Sequence, residues 1–186
     1  MKLKKINAAI SLLAIIFILM HVGYTVFEYL TFYFNPVLNR AFAVPFMILA
    51  CVHGILAMCI VFTQADGSNL NLYPKSNIKT IIQRVSAALI FPLLMLHINT
   101  FRILEFTSKQ GKWPLFFLVI VLEVVFFAVV IAHVSVSVTS ALITLGILAS
   151  RAKQQVIDRV VYLIGAIAFL AALIVIVKTQ LVMFVK

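Results

Sequence analysis

WPLFFLVIVLEVVFFAVVIAHVSVSVTSALITLGILAS, residues 113–150, contains one carboxylate, Glu123, and one imidazole, His133, and no other ionisable side chain before Arg151. A bilayer core about 30 Å thick takes about 20 helical residues to cross, so this run is long enough with room to tilt or protrude. Its apolar character is continuous. A barrel strand would alternate over about ten residues. In hydrocarbon a helix satisfies its own backbone groups, and a run of this length has no other way to do so.

Four further runs flank it, at 6–34, 37–65, 78–106 and 159–185. Asn35-Pro36 and Asp66-Gly67 close the first two, and the polar stretch 66–77 carries Gly67, Asn69, Asn71 and Pro74 as turn residues. Gly111 lies in the break at 107–112, and 151–158 reads as a short polar connector. The expectation is an all-α polytopic membrane protein, residues 1–186 forming a single transmembrane domain of five helices, with the first four making a four-helix bundle. No internal repeat or low-complexity tract interrupts it. Lys2, Lys4 and Lys5 look like the start of a signal peptide, but the apolar run behind them exceeds an h-region and no small-x-small cleavage site follows, so it is read as a membrane helix.

Composition leads to the same class. Hydrophobic residues make up 65% of the 186 and charged residues 11%, against about 25% charged in a soluble domain. A chain this size lacks the interior to hide so much apolar material, and disorder needs low hydrophobicity. The formal charge is +10, but the cations sit in short gaps between apolar runs. Nucleic-acid binders cluster them on one face, so no nucleic-acid partner is expected. With the N-terminus inside, Lys2, Lys4, Lys5, Lys75, Lys79, Arg84, Arg151, Lys153 and Arg159 fall on the inner side. Arg40, Arg102, Lys109, Lys112, Lys178 and Lys186 fall outside. This bias favours a cytoplasmic N-terminus. Cys51 and Cys59 share one helix without a CxxC spacing and read as small buried packing residues.

The four histidines, His21, His53, His97 and His133, fall one to each of the first four runs, with none in the loops or the fifth. A polar ring in lipid is costly and by default functional, although a single one is readily explained by a hydrogen bond across a helix interface. Imidazoles from facing helices can hold haem iron axially, so four suit two bis-histidine haems. A proton path is the rival, but only Glu28 and Glu123 accompany the histidines within the spans. A zinc or copper site needs the histidines together at one depth. Depth instead pairs His21 with His97 in the outer half and His53 with His133 centrally or inward, and reversing the orientation leaves the pairs intact.

The surroundings suit a flat macrocycle and suit helix packing equally well one residue at a time. Ser137, Ser140 and Thr144 follow His133 on its face, and Gly54 and Ala57 lie beside His53. Ser86, with Gln83 and Arg84, lies eleven residues before His97, about 16 Å further in, where it would meet the propionate edge of an inner haem. An Arg84 bound to lipid phosphate is the competing reading. Glu28, seven residues after His21 and about 10 Å further out, is the candidate for proton exchange at the outer end, with Tyr24 or Thr25 nearby. Pairing of Glu28 with Arg40 or Arg102 at headgroup level is the alternative. Glu123 lies at the same level but off the face of His133.

The pattern resembles the five-helix, di-haem cytochrome b anchor of succinate:quinone oxidoreductases and fumarate reductases. Gln83-Arg84-Val85-Ser86 followed by His97 is like the family's QR-x-S/T-G…H helix, His53-Gly54 lies in an apolar helix, and His133 is followed by Ser140, Leu145-Gly146-Ile147, Ser150 and Arg151. Four ligand helices followed by a ligand-free fifth also match, over nearly the whole chain. Ala87 stands where the family often has Gly, Ser137 replaces a common Gly, and Ile131 occupies the position where some members carry a proton-path Glu. The resemblance implies two haem b groups, on His21/His97 and His53/His133, and a quinone, typically menaquinone. It implies a flavoprotein subunit interconverting succinate and fumarate, and an iron–sulfur subunit docked on basic inner loops with Lys75, Lys79, Arg151 and Lys153. A multi-pass place in a bacterial inner membrane, and a possible dimer of heterotrimers, follow from the same likeness. Two other classes stay open: a di-haem cytochrome b of a formate dehydrogenase or hydrogenase, and a proton-coupled transporter, for which Pro45, Pro92 and Pro114 supply possible kinks but no repeat is seen.

Overall fold

The computed structural model describes residues 2–64 and 78–185 and makes each apolar run a helix. These are α1 (Lys2–Thr31), α2 (Pro36–Gln64), α3 (Ile78–Lys109), α4 (Trp113–Thr144) and α5 (Arg151–Val175). The fifth continues through a π-helical stretch, Ile176–Leu181, into a final turn, α6 (Val182–Phe184). Among the described residues there is no strand, and five helical spans are long and apolar enough to cross a membrane. The polar turn expected at 66–77, with Lys75, lies outside the described residues.

Local chemistry sets the helix ends. Asn35 caps α2, its side-chain oxygen accepting the Val37 and Leu38 N–H groups at 3.0 and 3.3 Å, and Pro36 stands at the first helical position, where its missing N–H is harmless. Gly111 closes α3 at φ 65°: its N–H donates to the Ser108 carbonyl at 3.0 Å and that of Lys112 to Thr107 at 2.9 Å. Gly146 closes α4 in the same way at φ 81°, through Ile143 at 2.9 Å and Leu142 at 3.0 Å. Both are Schellman caps, which need a left-handed residue that glycine adopts without strain.

The second cap shortens α4, which ends at Thr144 rather than at 150. The expected connector 151–158 is instead the first two turns of α5. Its polar residues mark a helix end emerging from the apolar zone, not a loop. α1 stops at Thr31 because Phe32 turns to φ 58°.

Consecutive helices run antiparallel. α1 packs on α2, α3 on α4, and α4 also on α5 and α1, so α4 is the central element. α2 leans chiefly on α1 and has no residue of its apolar window buried. It meets α3 through the Phe91 ring, which lies where a Cβ on Gly54 would be 3.0 Å away. Cys51 and Cys59 are exposed; the expected burial fails because α2 has a neighbour on one side only.

The densest packing is at the end shared by the α3 and α4 hairpin and the C-terminus. Leu104, Phe116, Val119, Ile120 and Ile176 form one cluster, and Ser108 donates to the Phe184 carbonyl at 2.8 Å. The opposite end is tied by polar groups: Lys79 pairs with Asp158 at 2.7 Å, and Asp158 accepts from Thr139 at 2.7 Å. Between the two ends α5 approaches α4 closely at Gly165, where a Cβ would lie 3.0 Å from Ile131 Cγ2 and 3.1 Å from Ser135 Oγ.

Candidate paired-histidine site

His133 projects from α4 toward the start of α3. Its Nδ1 lies 3.0 Å from Ser86 Oγ and 3.1 Å from the Gln83 carbonyl oxygen. A carbonyl can only accept, so Nδ1 carries the proton and Nε2 is left bare. The Ser86 hydroxyl donates to the Ile82 carbonyl at 2.5 Å, which leaves its lone pair to His133. This is how metal-binding histidines are held: one ring nitrogen is pinned by a backbone or side-chain acceptor and the other is presented. Ser86, expected near a propionate edge, has its hydroxyl oxygen turned to the ring of His133. Gln83 contributes its backbone rather than its side chain, and Arg84 is exposed.

Across from His133 stands His53 of α2, with ring centres 6.4 Å apart and planes at 66°. A metal–imidazole bond is about 2 Å and each ring centre stands roughly 1 Å behind its nitrogen, so two rings clasping one ion are about 6 Å apart. The Nδ1 of His53 is buried without a hydrogen-bond partner, and so is Ser137 Oγ, one turn beyond His133. Ser140 is exposed and bonds only its own helix, to Val136 at 3.3 Å.

The other pair is built differently. His97 Nδ1 lies 2.5 Å from Glu123 Oε1, and Glu123 Oε2 accepts from Thr100 at 2.9 Å. Glu123 is 2% exposed. Phe126 stacks on the imidazole at 4.7 Å between ring centres, and Phe127 meets it edge-on at 5.6 Å. His21 lies within electrostatic reach of His97, with the Asn39 side chain beside it. The Nδ1 of His21 is buried and unpartnered, and Thr25 Oγ1, one turn on, is likewise. His53 and His133 thus stand ring to ring and His21 lies within electrostatic reach of His97; in each expected pair the member from α3 or α4 has its Nδ1 tethered and the Nδ1 of the member from α1 or α2 has no partner.

Sequence reasoning missed the tie between Glu123 and His97, and with it Thr100. The available signal was an isolated carboxylate in the most apolar run, at the depth of a histidine on the preceding helix. Glu28 is buried but pairs with neither Arg40 nor Arg102. Its oxygens accept the Asn35 N–H at 3.3 Å and Asn39 Nδ2 at 3.5 Å, and the Asn35 N–H also donates to the Tyr24 hydroxyl at 3.1 Å. Both side chains clasp the turn between α1 and α2. Tyr29 stacks on Phe101 at 6.3 Å and lies within electrostatic reach of both Glu28 and Glu123.

Among the described residues no three His, Cys, Asp or Glu side chains gather into a protein-only metal site. The donors come in pairs, which is what a macrocycle supplying four nitrogens of its own requires of a protein. No protein-family model, curated protein or solved structure matches the chain.

Proposed function

We propose that this chain is a di-haem cytochrome b of a bacterial cytoplasmic membrane. In this reading it anchors a succinate dehydrogenase or fumarate reductase complex and carries electrons between the iron–sulfur subunit and a quinone, which the family resemblance gives as menaquinone. The observation that carries the haem reading is the 6.4 Å spacing of His53 and His133, with Nδ1 of His133 already committed to Gln83 and Ser86.

Haem iron held between two imidazoles changes oxidation state one electron at a time, with its potential set by the axial ligands and their hydrogen bonds. The residues of the chain do the rest. Gln83 and Ser86 hold His133 in the tautomer that presents Nε2, and Glu123 does the same for His97. Glu123 and His133 lie ten residues apart on α4, so the two sites are stacked about 15 Å apart along the bundle. His21 and His53, the untethered members, would complete the axial pairs. The Ser137 hydroxyl, one turn beyond His133 and without a partner, would be available to the edge of a porphyrin held there.

At the outer end Glu28 and Tyr24 are the groups available for proton exchange with quinone, and their long bonds to the turn leave the carboxylate lightly held. Glu123 has both oxygens engaged, by His97 and Thr100, which makes Glu28 the more accessible of the two carboxylates for that role. At the inner end Lys79, Arg151 and Lys153 present positive charge to the partner subunits, with Lys79 already sharing its charge with Asp158.

A reduced-minus-oxidised visible spectrum of the purified complex tests this reading. Two haem b per chain, co-purifying with a flavoprotein and an iron–sulfur protein, are expected. A colourless preparation overturns it. Haem accompanied by a formate dehydrogenase or hydrogenase instead moves the chain to that class.

A further inference from the structure

Glu123 is the one carboxylate in the most apolar run of the chain and is 2% exposed. A charge placed there is strongly disfavoured unless its oxygens are satisfied. Both are: Oε1 by His97 Nδ1 at 2.5 Å and Oε2 by the Thr100 hydroxyl at 2.9 Å. The equivalent nitrogen of His133 meets only neutral acceptors, the Gln83 carbonyl and Ser86 Oγ. The two tethered rings therefore share a tautomer and differ in the charge behind them.

We propose that Glu123 is a positioning residue that locks His97 with Nε2 presented and lends its ring anionic character, making the His21/His97 site the electron-richer of two otherwise similar sites. The inference rests on the di-haem reading and deepens it. A carboxylate behind an imidazole raises the basicity of the opposite nitrogen. A more basic axial nitrogen favours the ferric state, so the same contact lowers the potential of that haem relative to its neighbour. Phe126 and Phe127 pack on the ring and lower the local dielectric beside it, where interactions between charges grow.

Glu123→Gln is the direct test. A glutamine oxygen still accepts from His97 Nδ1, so the geometry can persist while the charge is removed. In the intact complex the variant is expected to keep two haems. One midpoint potential should rise, the other should stay, and the ferric resonance signal of the affected haem should move with it. Ser86→Ala is expected to leave that haem untouched. Should Glu123→Gln lose haem, Thr100→Val supplies the second test. Without the threonine donor the carboxylate pulls harder on Nδ1–H, and the same potential is expected to fall. Unchanged potentials and resonance signals in a two-haem Glu123→Gln complex, or in Thr100→Val where the first variant fails to assemble, overturn the inference and leave the di-haem reading standing. Wild-type protein without haem removes both.

Discussion

His97 and His133 solve one problem in two ways. Each is an imidazole on a helix surrounded by apolar side chains, and each has its Nδ1 held so that Nε2 is free. His133 is held by neutral groups of α3, a backbone carbonyl and a serine hydroxyl. His97 is held by a buried carboxylate of α4, itself steadied by Thr100. Neutral acceptors cost little to bury when satisfied; a carboxylate costs several kcal/mol before its partners offset it. An arrangement kept at that cost points to a demand on the outer ring beyond orientation. The neighbourhoods differ in the same sense. Aromatic rings close over His97, whereas the His133 level holds small residues, Ser135, Ser137 and Gly165.

The largest effect expected from this comparison is the removal of either ring. His97→Ala and His133→Ala should each abolish one of two haems and spare the other, and the double variant should be colourless. A pyridine haemochrome assay on purified complex counts them. A single variant that retains two haems breaks the pairing.

Next in size is Glu123→Leu. It strips His97 of its acceptor and leaves Thr100 and the imidazole facing apolar groups. Leaving a buried donor without its acceptor costs about 1–3 kcal/mol. Detergent unfolding should show a loss of that order, with the outer haem released first. A loss below about 1 kcal/mol would put the contact on the scale of an ordinary hydrogen bond and erase the contrast between the two sites.

The asymmetry also shows how much could be read from the chain alone. Five helices follow from hydropathy, and the breaks at Asn35-Pro36 and Gly111 follow because caps are local chemistry; the cap at Gly146 is hidden, because the apolar run continues past it to Ser150. The His pairs follow from depth, which is a count of residues along each helix. The partner of His97 does not follow. On its own helix Glu123 falls off the face of His133. Which neighbour a helix turns that other face toward depends on packing between helices, and no spacing within α4 encodes it. The same reason hides the Gln83 carbonyl, since a backbone acceptor leaves no mark on residue identity. The start of α5 is hidden for another reason: Arg151, Lys153 and Asp158 are polar like a loop, yet two polar turns can emerge at the end of a helix without interrupting it.

A third test separates the sites by packing. Gly165 lets α5 approach α4 beside Ile131 and Ser135, two residues on either side of His133. Gly165→Leu must push the helices apart there, and overpacking of this kind costs about 1–3 kcal/mol. The inner haem should lose occupancy while the outer one keeps it. Equal loss from both would mean that the two sites are mechanically coupled rather than independently supported.

The smallest expected effect is the most discriminating about how His133 is held. Ser86→Ala removes one of two acceptors from Nδ1 and leaves the Gln83 carbonyl at 3.1 Å. The tautomer therefore survives. The lost bond is neutral and Nδ1 is not orphaned, so a cost of about 0.5–1.5 kcal/mol is the ceiling, and both haems should remain. The Gln83 carbonyl belongs to the helix backbone, so side-chain substitution at 83 should also leave it in place: Gln83→Ala is expected to match wild type in haem content. If Gln83→Ala instead releases the inner haem and Ser86→Ala does not, the side chain of Gln83 reaches the macrocycle, and the inner site is built around its edge rather than around the ring of His133.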